Sequence, residues 1–417
     1  MANKVVYVDP AAIVSGNGSI ADPFNSWRQV SFQPGTTYLQ MAGTTSNGNL
    51  TIGTSATGAS PIQIGSYGSG PPPGIAGSVV FDHASNVSLT GFTITAGPAA
   101  GVVIQNGSGN IQILSNTVSG SAIGVWLGND AGGGNTISGN ALTGNALFGV
   151  GVSGVINPAG QETVISDNVV TQNGSHGIEL EGSNFVVKDN TVLENGQTTP
   201  GSSGIHTYSS GAGDGFGDDN VMTGNLVAGT HNAGGVDGNG IELDQWTNGN
   251  TVSGNTICGN DGSGIAVYDS SENTISSNMV YCNDAEPALN PGANGEIALT
   301  SSLGLTRDNV ISGNLFLGIS SYAPVASVDT RSSTLGNHFS ANLFEDFGAV
   351  AMCDWAGVSG GDASFWRAVT GGSDWFAGIM PPPGTGGVYN FDYNFAASPL
   401  DPNFRFSWQT DGAYRPA

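Results

Sequence analysis

Apolar and polar positions recur along this chain in one phrase, which is repeated about ten times. Each copy begins with a box, in which an apolar residue is followed by two further residues and an asparagine. A glycine-led stretch comes later in the copy, with aliphatic residues alternating with other types after the glycine. The box asparagines are Asn116, Asn140, Asn168, Asn190, Asn225, Asn255, Asn278, Asn314 and Asn342, and a degenerate first copy lies around Leu89.

This spacing predicts a β-solenoid rather than a globular α/β domain. The box asparagines follow one another at intervals of 22 to 36 residues, in segments rich in Val, Ile and Thr, and such a period is typical of solenoids. No stretch shows the sustained 3.6-residue apolar period of an amphipathic helix. Each copy contains three predicted strands, so we expect an all-β, single-stranded coil of about ten turns with three parallel sheets around an apolar core.

The box asparagines are expected to belong to the scaffold. Asparagine tolerates the left-handed conformation that a tight turn between two strands requires, and stacked copies can share side-chain hydrogen bonds along the axis. We therefore predict an asparagine ladder and assign none of these residues to a functional site.

One domain with two capping regions is the simplest organisation for the 417 residues. Residues 85–355 carry the repeat and are predicted to form coils, while residues 1–84 supply an N-terminal cap and the first coils. Residues 356–417 lack the repeat and are rich in Trp, Phe and Pro, with proline at 381–383. This tail is predicted to cover the last coil, because an open coil end exposes backbone donors and acceptors.

The balance of charges argues against several classes of partner. Eight Lys and Arg residues against 32 Asp and Glu give a net charge of -24, which repels nucleic-acid phosphates and anionic lipid surfaces. No run of 18 apolar residues is present, so we expect no membrane span. The first residues do not resemble a signal peptide, but the acidic, Gly-rich and Cys-poor composition favours a secreted, extracellular or periplasmic location.

Two of the three cysteines fall at nearly the same turn of adjacent predicted coils. Cys258 and Cys282 come three and four residues after Asn255 and Asn278. Neighbouring coils lie about 4.8 Å apart, which is within the reach of a disulfide. The pattern leaves two alternatives open, a Cys258–Cys282 bridge or two buried thiols, and Cys353 has no evident partner.

The glycine-led strands place acidic and aromatic side chains on one face. The first and third residues after the glycine are aliphatic, so alternation turns the second and fourth residues outward. In three consecutive copies these outward positions are Glu179 and Glu181, His206 and Tyr208, and Glu242 and Asp244.

This set of six residues, the panel, has the composition of an acid–base site. We expect His206 between the two glutamates of one column and Tyr208 between the acidic residues of the other, with about 4.8 Å between coils. Carboxylates around a histidine favour its protonated form, and repulsion among them raises at least one carboxyl pKa. A proton donor and an ionised partner then coexist near neutral pH, as general acid–base catalysis requires. The alternative is a solvated acidic face without a function.

Inserted residues accompany the longest copies, at 211–219, 230–237 and 283–291. Insertions in a solenoid gather on its binding face, so these loops are expected to wall the panel into a groove. The candidate substrate-binding residues beside the panel are Trp126, Tyr268, Asp269 and Trp246.

Calcium is a candidate ion, although no cofactor is required. Asp214, Asp218 and Asp219 in the first inserted loop offer the oxygen ligands that Ca²⁺ prefers. Their spacing matches neither an EF-hand nor a Gly-rich nonapeptide roll, and a solvated turn is the alternative. No histidine and carboxylate spacing typical of a zinc site is recognisable.

The repeated phrases resemble those of a known superfamily. Asn-Thr-Val/Ile-Ser-Gly-Asn and Gly-Ile-x-Leu, with Tyr7-Val-Asp-Pro near the start and Ala397-Ser-Pro-Leu-Asp-Pro near the end, are similar to segments of right-handed parallel β-helix proteins of the pectate-lyase-like superfamily. This resemblance covers nearly the whole chain and implies a right-handed parallel β-helix. The superfamily includes polysaccharide lyases, glycoside hydrolases, uronate epimerases and phage tailspikes, and its Gly-led sheet commonly forms the substrate cleft.

No subfamily motif of this superfamily matches the chain. The polygalacturonase motifs and the Asp-Pro-His of mannuronan epimerases are absent. Lyases of this fold resemble one another in using Lys or Arg against a uronate, whereas the solenoid here holds only Lys188, Arg307 and Arg331, none of them on the panel.

These observations favour a glycoside hydrolase or transglycosidase that acts on a mainly neutral polysaccharide or oligosaccharide. Glu242 and Asp244 are the preferred acid and base or nucleophile, and the other two glutamates of the panel are secondary carboxylates. His206 and Tyr208 are predicted to position the reacting groups.

Two alternatives to a hydrolase are retained. A polysaccharide lyase or uronate epimerase would use the His206 and Tyr208 pair as base and acid, with Ca²⁺ supplying the positive charge. A non-catalytic solenoid would serve in glycan binding or surface structure. The oligomeric state, monomer or trimer, is left open.

Overall fold

A computed structural model describes residues 4–377 apart from 129, 290–293, 319–323, 347–352, 357 and 372. These residues form three sheets of 13 strands each. From the strand Thr36–Met41 to the strand Cys353–Trp355, successive turns of the chain contribute one strand to each sheet. The pairing is parallel apart from one antiparallel pair at the C-terminal end. The chain is therefore a parallel β-helix, as the repeat predicts. Each sheet has 13 strands, three more than the ten copies of the phrase indicate.

The three sheets correspond to the three parts of the repeated phrase. The first sheet leads into the box asparagines and consists of Lys4–Val8, Thr36–Met41, Ile62–Tyr67, Ser85–Thr90, Gly109–Leu114, Thr136–Ser138, Thr163–Ser166, Phe185–Lys188, Val221–Thr223, Thr251–Ser253, Thr274–Ser276, Val310–Ser312 and His338–Ser340. The second sheet follows the asparagines and consists of Thr45–Asn47, Gly74–Ala76, Thr93–Thr95, Thr117–Ser119, Ala141–Thr143, Val169–Thr171, Thr191–Leu193, Leu226–Ala228, Thr256–Cys258, Met279–Tyr281, Leu315–Gly318, Leu343–Asp346 and Trp375–Ala377. The Gly-led sheet consists of Leu50–Ile52, Val79–Asp82, Val102–Gln105, Val125–Leu127, Val150–Ile156, Ile178–Ser183, Ile205–Thr207, Ile241–Leu243, Ile265–Tyr268, Ile297–Thr300, Ala326–Val328, Cys353–Trp355 and Val358–Gly361. The described helices are three 3-10 turns at Trp27–Gln29, Pro287–Leu289 and Ser332–Thr334, and one α-helix, α1, at Ala363–Thr370.

Inward side chains of the three sheets form one continuous apolar core. Ile137, for example, pairs with Ile113 on one side and Ile165 on the other, and all three are fully buried. Branched residues suit these positions because their Cβ substituents fit the extended backbone. Burial of each such side chain contributes about 1.5–3 kcal/mol, so like residues stacked in successive coils hold the solenoid together.

The box asparagines form the predicted ladder. The Asn225 N–H and Nδ2 both donate to Asn255 Oδ1, and Asn225 Oδ1 accepts from Asn190 in the same way. Asn225 Nδ2 also donates to the Val187 carbonyl oxygen at 3.0 Å. The residue is 1% exposed, so the ladder satisfies backbone groups that water cannot reach.

Replacing Asn225 by Ala is expected to lower the free energy of unfolding by about 3 kcal/mol, because the change leaves buried donors of Asn190 and a buried carbonyl without partners. Denaturation in urea measures the loss. The matched control is Gln112→Ala on the exposed face of the first sheet, which is expected to change stability by less than about 0.5 kcal/mol. Equal losses in the two variants would contradict the role of the ladder.

Both ends of the described chain are integrated with the coil. Residues before 84 contribute strands to the same three sheets. At the other end, α1 begins after its N-cap Asp362 and buries Trp366 completely against Phe339 and Phe344. Trp366 Nε1 donates to Asp374, which also ends the ladder by accepting from the last box asparagine. The tail that was predicted to cover the last coil continues beyond residue 377, and its prolines at 381–383 lie outside the described residues.

The cysteines are three free thiols. The strand register pairs Cys258 with Tyr281 rather than with Cys282, and Cys282 has left the strand with a φ of 60°. The predicted alternative of a Cys258–Cys282 bridge is therefore not present. The two thiols differ by one position in the turn, and that offset points their side chains differently.

Candidate active site

Three consecutive coils bring one histidine and two glutamates into a column on the Gly-led sheet. The strand register pairs Glu179 with His206, and His206 with Glu242, as the alternation predicts. These residues are only 8%, 8% and 6% exposed, respectively, although they point away from the apolar core. The column is therefore the floor of a covered site and not an open solvated face.

His206 lies between two carboxylates. Its Nδ1 is 2.6 Å from Glu179 Oε2, and its Nε2 is 3.4 Å from Asp244 Oδ2. Burial by itself lowers the pKa of His206, but the charge of Glu179 and the hydrogen bonds with both carboxylates outweigh it and hold the pKa well above 6.5. His206 is thus a buried imidazolium that donates from both ring nitrogens.

His176 joins the site from the preceding coil. The Ser203 N–H donates to His176 Nδ1 at 2.9 Å, so the neutral ring carries its proton on Nε2, 3.5 Å from Glu179 Oε2. Burial and the charge of His206 lower the pKa of His176 to about 4. The two rings stack with centroids 4.3 Å apart and an interplanar angle of 9°, which sets a neutral imidazole against a charged one.

Glu242 is kept protonated near neutral pH. Burial and the charge of Asp237 raise its pKa, Asp244 adds to the rise, His206 opposes it, and the resulting pKa is about 8. Ser203 Oγ donates a hydrogen bond to Glu242 Oε2. Burial raises the pKa of Asp237 too, so the site holds more than one carboxyl group that resists ionisation.

Asp244 completes the reactive group of the site. One oxygen of Glu242, one oxygen of Asp244 and one ring nitrogen of His206 lie within 4.8 Å of one another. Asp244 is the first residue after the strand Ile241–Leu243, and its Oδ1 accepts from the Gln245 N–H at 2.7 Å. A protonated carboxyl, a second carboxyl group and an imidazolium therefore converge on one small volume.

Aromatic rings flank the two histidines. Tyr208 stacks beside His206, with centroids 6.1 Å apart and an interplanar angle of 13°. Phe148 lies against His176 on the other side, at 5.6 Å. Phe148 was absent from the predicted site, because it belongs to the turn that precedes its strand.

Trp126 provides a platform two coils before Glu179. Its ring lies across Gly151 and Gly128, where an added Cβ would come within 2.9 Å and 2.7 Å of indole atoms. Trp126 remains partly exposed, which suits the predicted role in stacking on a sugar.

Glu181 and Tyr208 lie in the more accessible outward column. Glu181 is partly exposed, and Ser153 Oγ donates to its Oε2 at 2.5 Å. Tyr268, also partly exposed, occupies the same column one coil beyond Asp244. These residues line the site without joining the hydrogen bonds around His206.

Asp269 differs from its prediction as a substrate-binding residue. It is 2% exposed, and its two oxygens accept the N–H groups of Ser302 and Leu303, each at 2.7 Å. Because both oxygens are used in this way, Asp269 anchors a loop. Trp246 is a partner of the same loop, since a Cβ at Gly304 would lie 3.2 Å from the indole.

The predicted calcium ligands do not converge. Ser209 and Ser210 hydroxyls and the Phe216 N–H donate to Asp214, whereas the Asn248 N–H and Nδ2 donate to Asp218. Among the described residues, Asp214, Asp218 and Asp219 form no group of three with oxygens close enough to share an ion. The separate turns of the loop use these carboxylates individually.

The described residues contain two groups with the atoms to hold a metal, and both include His206. In the group with Glu179, His176 directs its Nε2 proton into the cluster, so the ring has no free lone pair there. In the group with Glu242 and Asp244, the raised pKa of His206 keeps protons on both of its ring nitrogens, and the raised pKa of Glu242 keeps that carboxyl protonated. The cluster therefore has the character of acid–base groups.

Four residues of the site were not found from the sequence, and Phe148 is one of them. Like Phe148, His176 and Ser203 stand directly before the glycine of a glycine-led strand, where alternation assigns no direction. Asp237 belongs to the inserted segment 230–237, which was predicted to wall the groove, and its backbone forms a bridge with Ser202. The sequence did contain one signal for His176 and Ser203. Both are polar residues directly before the leading glycine, in copies that also carry panel residues.

Two family models match overlapping parts of the chain. The model described as right handed beta helix region matches residues 77–257. The model described as periplasmic copper-binding protein (NosD) matches residues 202–352. No curated protein matches the chain.

Solved structures with the same architecture include several enzymes that act on glycans. A GH136 lacto-N-biosidase from Eubacterium ramulus is 14% identical, with 82% of this chain and 68% of that chain covered and a TM-score of 0.58. The A-module of a mannuronan C-5 epimerase from Azotobacter vinelandii is 15% identical, with 83% and 91% covered and a TM-score of 0.55. A mannuronic acid specific polysaccharide family 6 lyase from human gut microbiota is 13% identical, with 82% and 86% covered and a TM-score of 0.50.

These similarities agree with the parallel β-helix seen in the sheet topology. At such low identity they establish the architecture, including the hand of the coil, and leave the reaction to the residues of the site. The chain is a right-handed parallel β-helix protein.

Proposed function

We propose that this protein is a carbohydrate-active enzyme, a glycoside hydrolase or transglycosidase that acts on a mainly neutral glycan. The observation that carries the proposal is the convergence of Glu242, Asp244 and His206 within 4.8 Å, with Glu242 protonated near neutral pH. A protonated carboxyl beside a second carboxyl group is the arrangement that glycosidases use. The structural neighbours include enzymes named for glycans, two of them for mannuronan or mannuronic acid, and they support a glycan substrate in general.

In the proposed reaction, Glu242 protonates the glycosidic oxygen as the bond between that oxygen and the anomeric carbon breaks. Asp244 attacks the anomeric carbon and forms a covalent glycosyl-enzyme. Water, or a second sugar hydroxyl in a transglycosidase, then gives its proton to Glu242 and displaces Asp244. The separation of at most 4.8 Å between one oxygen of each residue favours this retaining route, because inverting enzymes keep their carboxyl groups about 6.5–9.5 Å apart.

The charge of the site favours a neutral substrate. Glu179, Asp237, Glu242 and Asp244 surround a single imidazolium, and the ion pairs of the described site residues are made with histidines rather than with Lys or Arg. A uronate would add a negative charge to a site whose carboxyl groups already repel one another. The proposal therefore excludes acidic glycans as the preferred substrate.

One observation favours a second candidate, a polysaccharide lyase or uronate epimerase. Tyr208 stacks beside His206, so a histidine and a tyrosine are available as acid and base. That chemistry would require a deprotonated group to abstract the C5 proton, and a cation such as Ca²⁺ to neutralise the uronate. The high pKa of His206 counts against it as the base.

Incubation with neutral and uronic glycans separates these candidates. Hydrolysis of a neutral glycan is expected to release reducing ends without a rise in absorbance near 235 nm, whereas elimination raises that absorbance. Activity confined to uronic glycans with rising absorbance would contradict the hydrolase. Binding of glycans without any cleavage would favour a non-catalytic solenoid.

The proposed acid role of Glu242 predicts a pH profile. Because the raised pKa is about 8, the protonated form persists through neutral pH, and kcat/KM is expected to fall as the pH rises through about 8. The Ser203 hydrogen bond stabilises the ionised form of Glu242 and so lowers its pKa. Ser203→Ala is therefore expected to move the alkaline limb to higher pH, and a limb that stays in place in this variant would count against Glu242 as the acid.

We also propose a secreted or periplasmic location and a polysaccharide or oligosaccharide partner. The acidic composition and the match to a family described as periplasmic support the location. Among the described residues, no helix has both the length and the apolarity needed to cross a bilayer. A required cofactor forms no part of the proposal.

A further inference from the structure

We infer that the glycan groove is closed on the C-terminal side of Glu242 and Asp244, so that the enzyme acts at chain ends rather than within a chain. This inference rests on the proposed hydrolase function and deepens it by naming the part of the substrate that is recognised. It is carried by the difference between the two sides of the site along the axis of the solenoid.

The column that contains Glu242 is covered on its C-terminal side. The next three outward positions are Ala266, Ala298 and Ser327, in successive coils. Their exposures are 5%, 1% and 6%, respectively, as low as that of Glu242 itself, so the cover over this column continues past the site on this side. Ser327 Oγ donates to the Asn294 carbonyl oxygen at 2.6 Å and accepts from its N–H at 3.2 Å, so the chain before the strand Ile297–Thr300 folds over this face.

A second obstruction comes from the return loop, residues 301–305. Asp269, one coil nearer the site, holds the N–H groups of Ser302 and Leu303. Gly304 reaches back a further coil to the Trp246 indole, so closely that a Cβ would lie 3.2 Å from the ring. Trp246 stands two residues after Asp244, so the return loop comes close to the reacting groups. Tyr268, one coil beyond Asp244, is still partly exposed, and the space between the reacting groups and the wall is therefore about one coil deep.

The return loop is also fixed from behind. Asp329 Oδ2 accepts from the Ser301 N–H at 2.6 Å, and Arg331 Nη1 donates to the Ser302 carbonyl oxygen at 3.2 Å. Hydrogen bonds on both sides of the loop therefore fix the position of the wall.

The N-terminal side of the site is open by comparison. Val103 and Trp126 occupy the same column and remain partly exposed, and Gly151 next to them carries no side chain. The Trp126 and Phe148 rings meet over that glycine, since a Cβ there would lie 2.9 Å from an atom of each ring. A glycan can therefore extend from the carboxyl groups over Trp126, while on the other side only the terminal part of the chain fits before the wall.

Products formed early from defined neutral glycans test this inference. The probes are a graded series of neutral oligosaccharides labelled at one end and the corresponding polymer, and products are separated by size at low conversion. The expected result is one released product size, with the remaining chain shortened by a constant step. A spread of internal fragments at low conversion would overturn the inference and leave the hydrolase in place, whereas no cleavage of any glycan would overturn both.

A variant with a shortened return loop connects the product pattern to the wall. Replacing residues 302–305 by two glycines is expected to change the pattern from one size to a range of sizes, because the chain can then pass beyond Asp244. The same replacement in the exposed loop at 158–161 is the matched control and is expected to keep the single size. Asp269→Asn, which weakens the anchor without shortening the chain, is the second variant should the deletion prevent folding. A single product size from a folded loop variant would contradict the wall.

Discussion

Replacement of Glu242 by Gln is expected to lower kcat on a neutral glycan by about 10²–10⁴-fold, the range that a positioned general acid contributes. Gln has nearly the same shape and retains an oxygen that can accept the Ser203 hydrogen bond. It removes the proton that the glycosidic oxygen must receive. Because Glu242 is already neutral near pH 7, the change adds no charge to the site and the fold is expected to be preserved. Initial rates at saturating substrate measure the effect.

The matched control for this prediction is Glu272→Gln. The Glu272 side chain is 61% exposed and faces Arg307 on the surface, where ion pairs contribute little, and this variant is expected to retain the parent rate. A Glu242→Gln enzyme with a rate within a few-fold of the parent would remove Glu242 as the acid. Loss of activity in both variants would instead indicate damage to the fold.

Replacement of His206 by Gln is expected to lower the free energy of unfolding by about 3–5 kcal/mol, the cost of removing one partner of a buried ion pair. Glu179 and Asp244 would then lie in a buried site without the imidazolium that lies between them. Activity is expected to fall as well, because Asp244 loses its partner. Urea denaturation measures the stability, with His83→Gln as the matched control on the surface, where His83 pairs with Asp82.

The pH dependence and a double variant make this prediction specific. A group whose pKa is raised by folding stabilises the protein fully below its unfolded pKa, about 6.5 for His, and loses that effect as the pH rises through the folded value. The stability difference between parent and His206→Gln is therefore expected to be large near pH 6 and to shrink at alkaline pH. Combining the change with Glu179→Gln is expected to cost less than the sum of the two single changes, and additive losses would contradict the ion pair.

The column of the candidate site was predictable from sequence because side chains alternate along a strand. The glycine and the aliphatic residues that follow it give the direction of each position, and stacking of successive copies then pairs Glu179, His206 and Glu242. The register has little freedom, since a shift by one residue would bring the core residues to the outside. The scaffold role of the box asparagines follows from the same periodicity.

Positions outside the strands were not predictable in this way. His176, Ser203 and Asp237 reach the site from turns and an inserted segment, whose paths depend on contacts with neighbouring coils. Asp269 is an example of a residue that was assigned to the site but does not belong to it. Its position next to the panel suggested a substrate-binding residue, whereas both of its oxygens accept backbone N–H groups of a loop. The alternative of a Cys258–Cys282 disulfide failed for a similar reason. An offset of one residue in a turn decides which side chains meet, and Cys258 pairs with Tyr281 instead.

The sequence by itself determined the architecture, the ladder and the identity of the main carboxyl groups, because a short-period repeat constrains every coil in the same way. Only the tertiary structure decided that the Glu179, His206 and Glu242 column of the panel is buried. It also decided that His206 carries a charge while His176 does not, and that Glu242 retains its proton. Desolvation and charge interactions depend on which loops cover the sheet and on distances of a few ångströms between coils. The repeat specifies the strands, whereas these loops lie between the repeated parts and take their form from the folded chain.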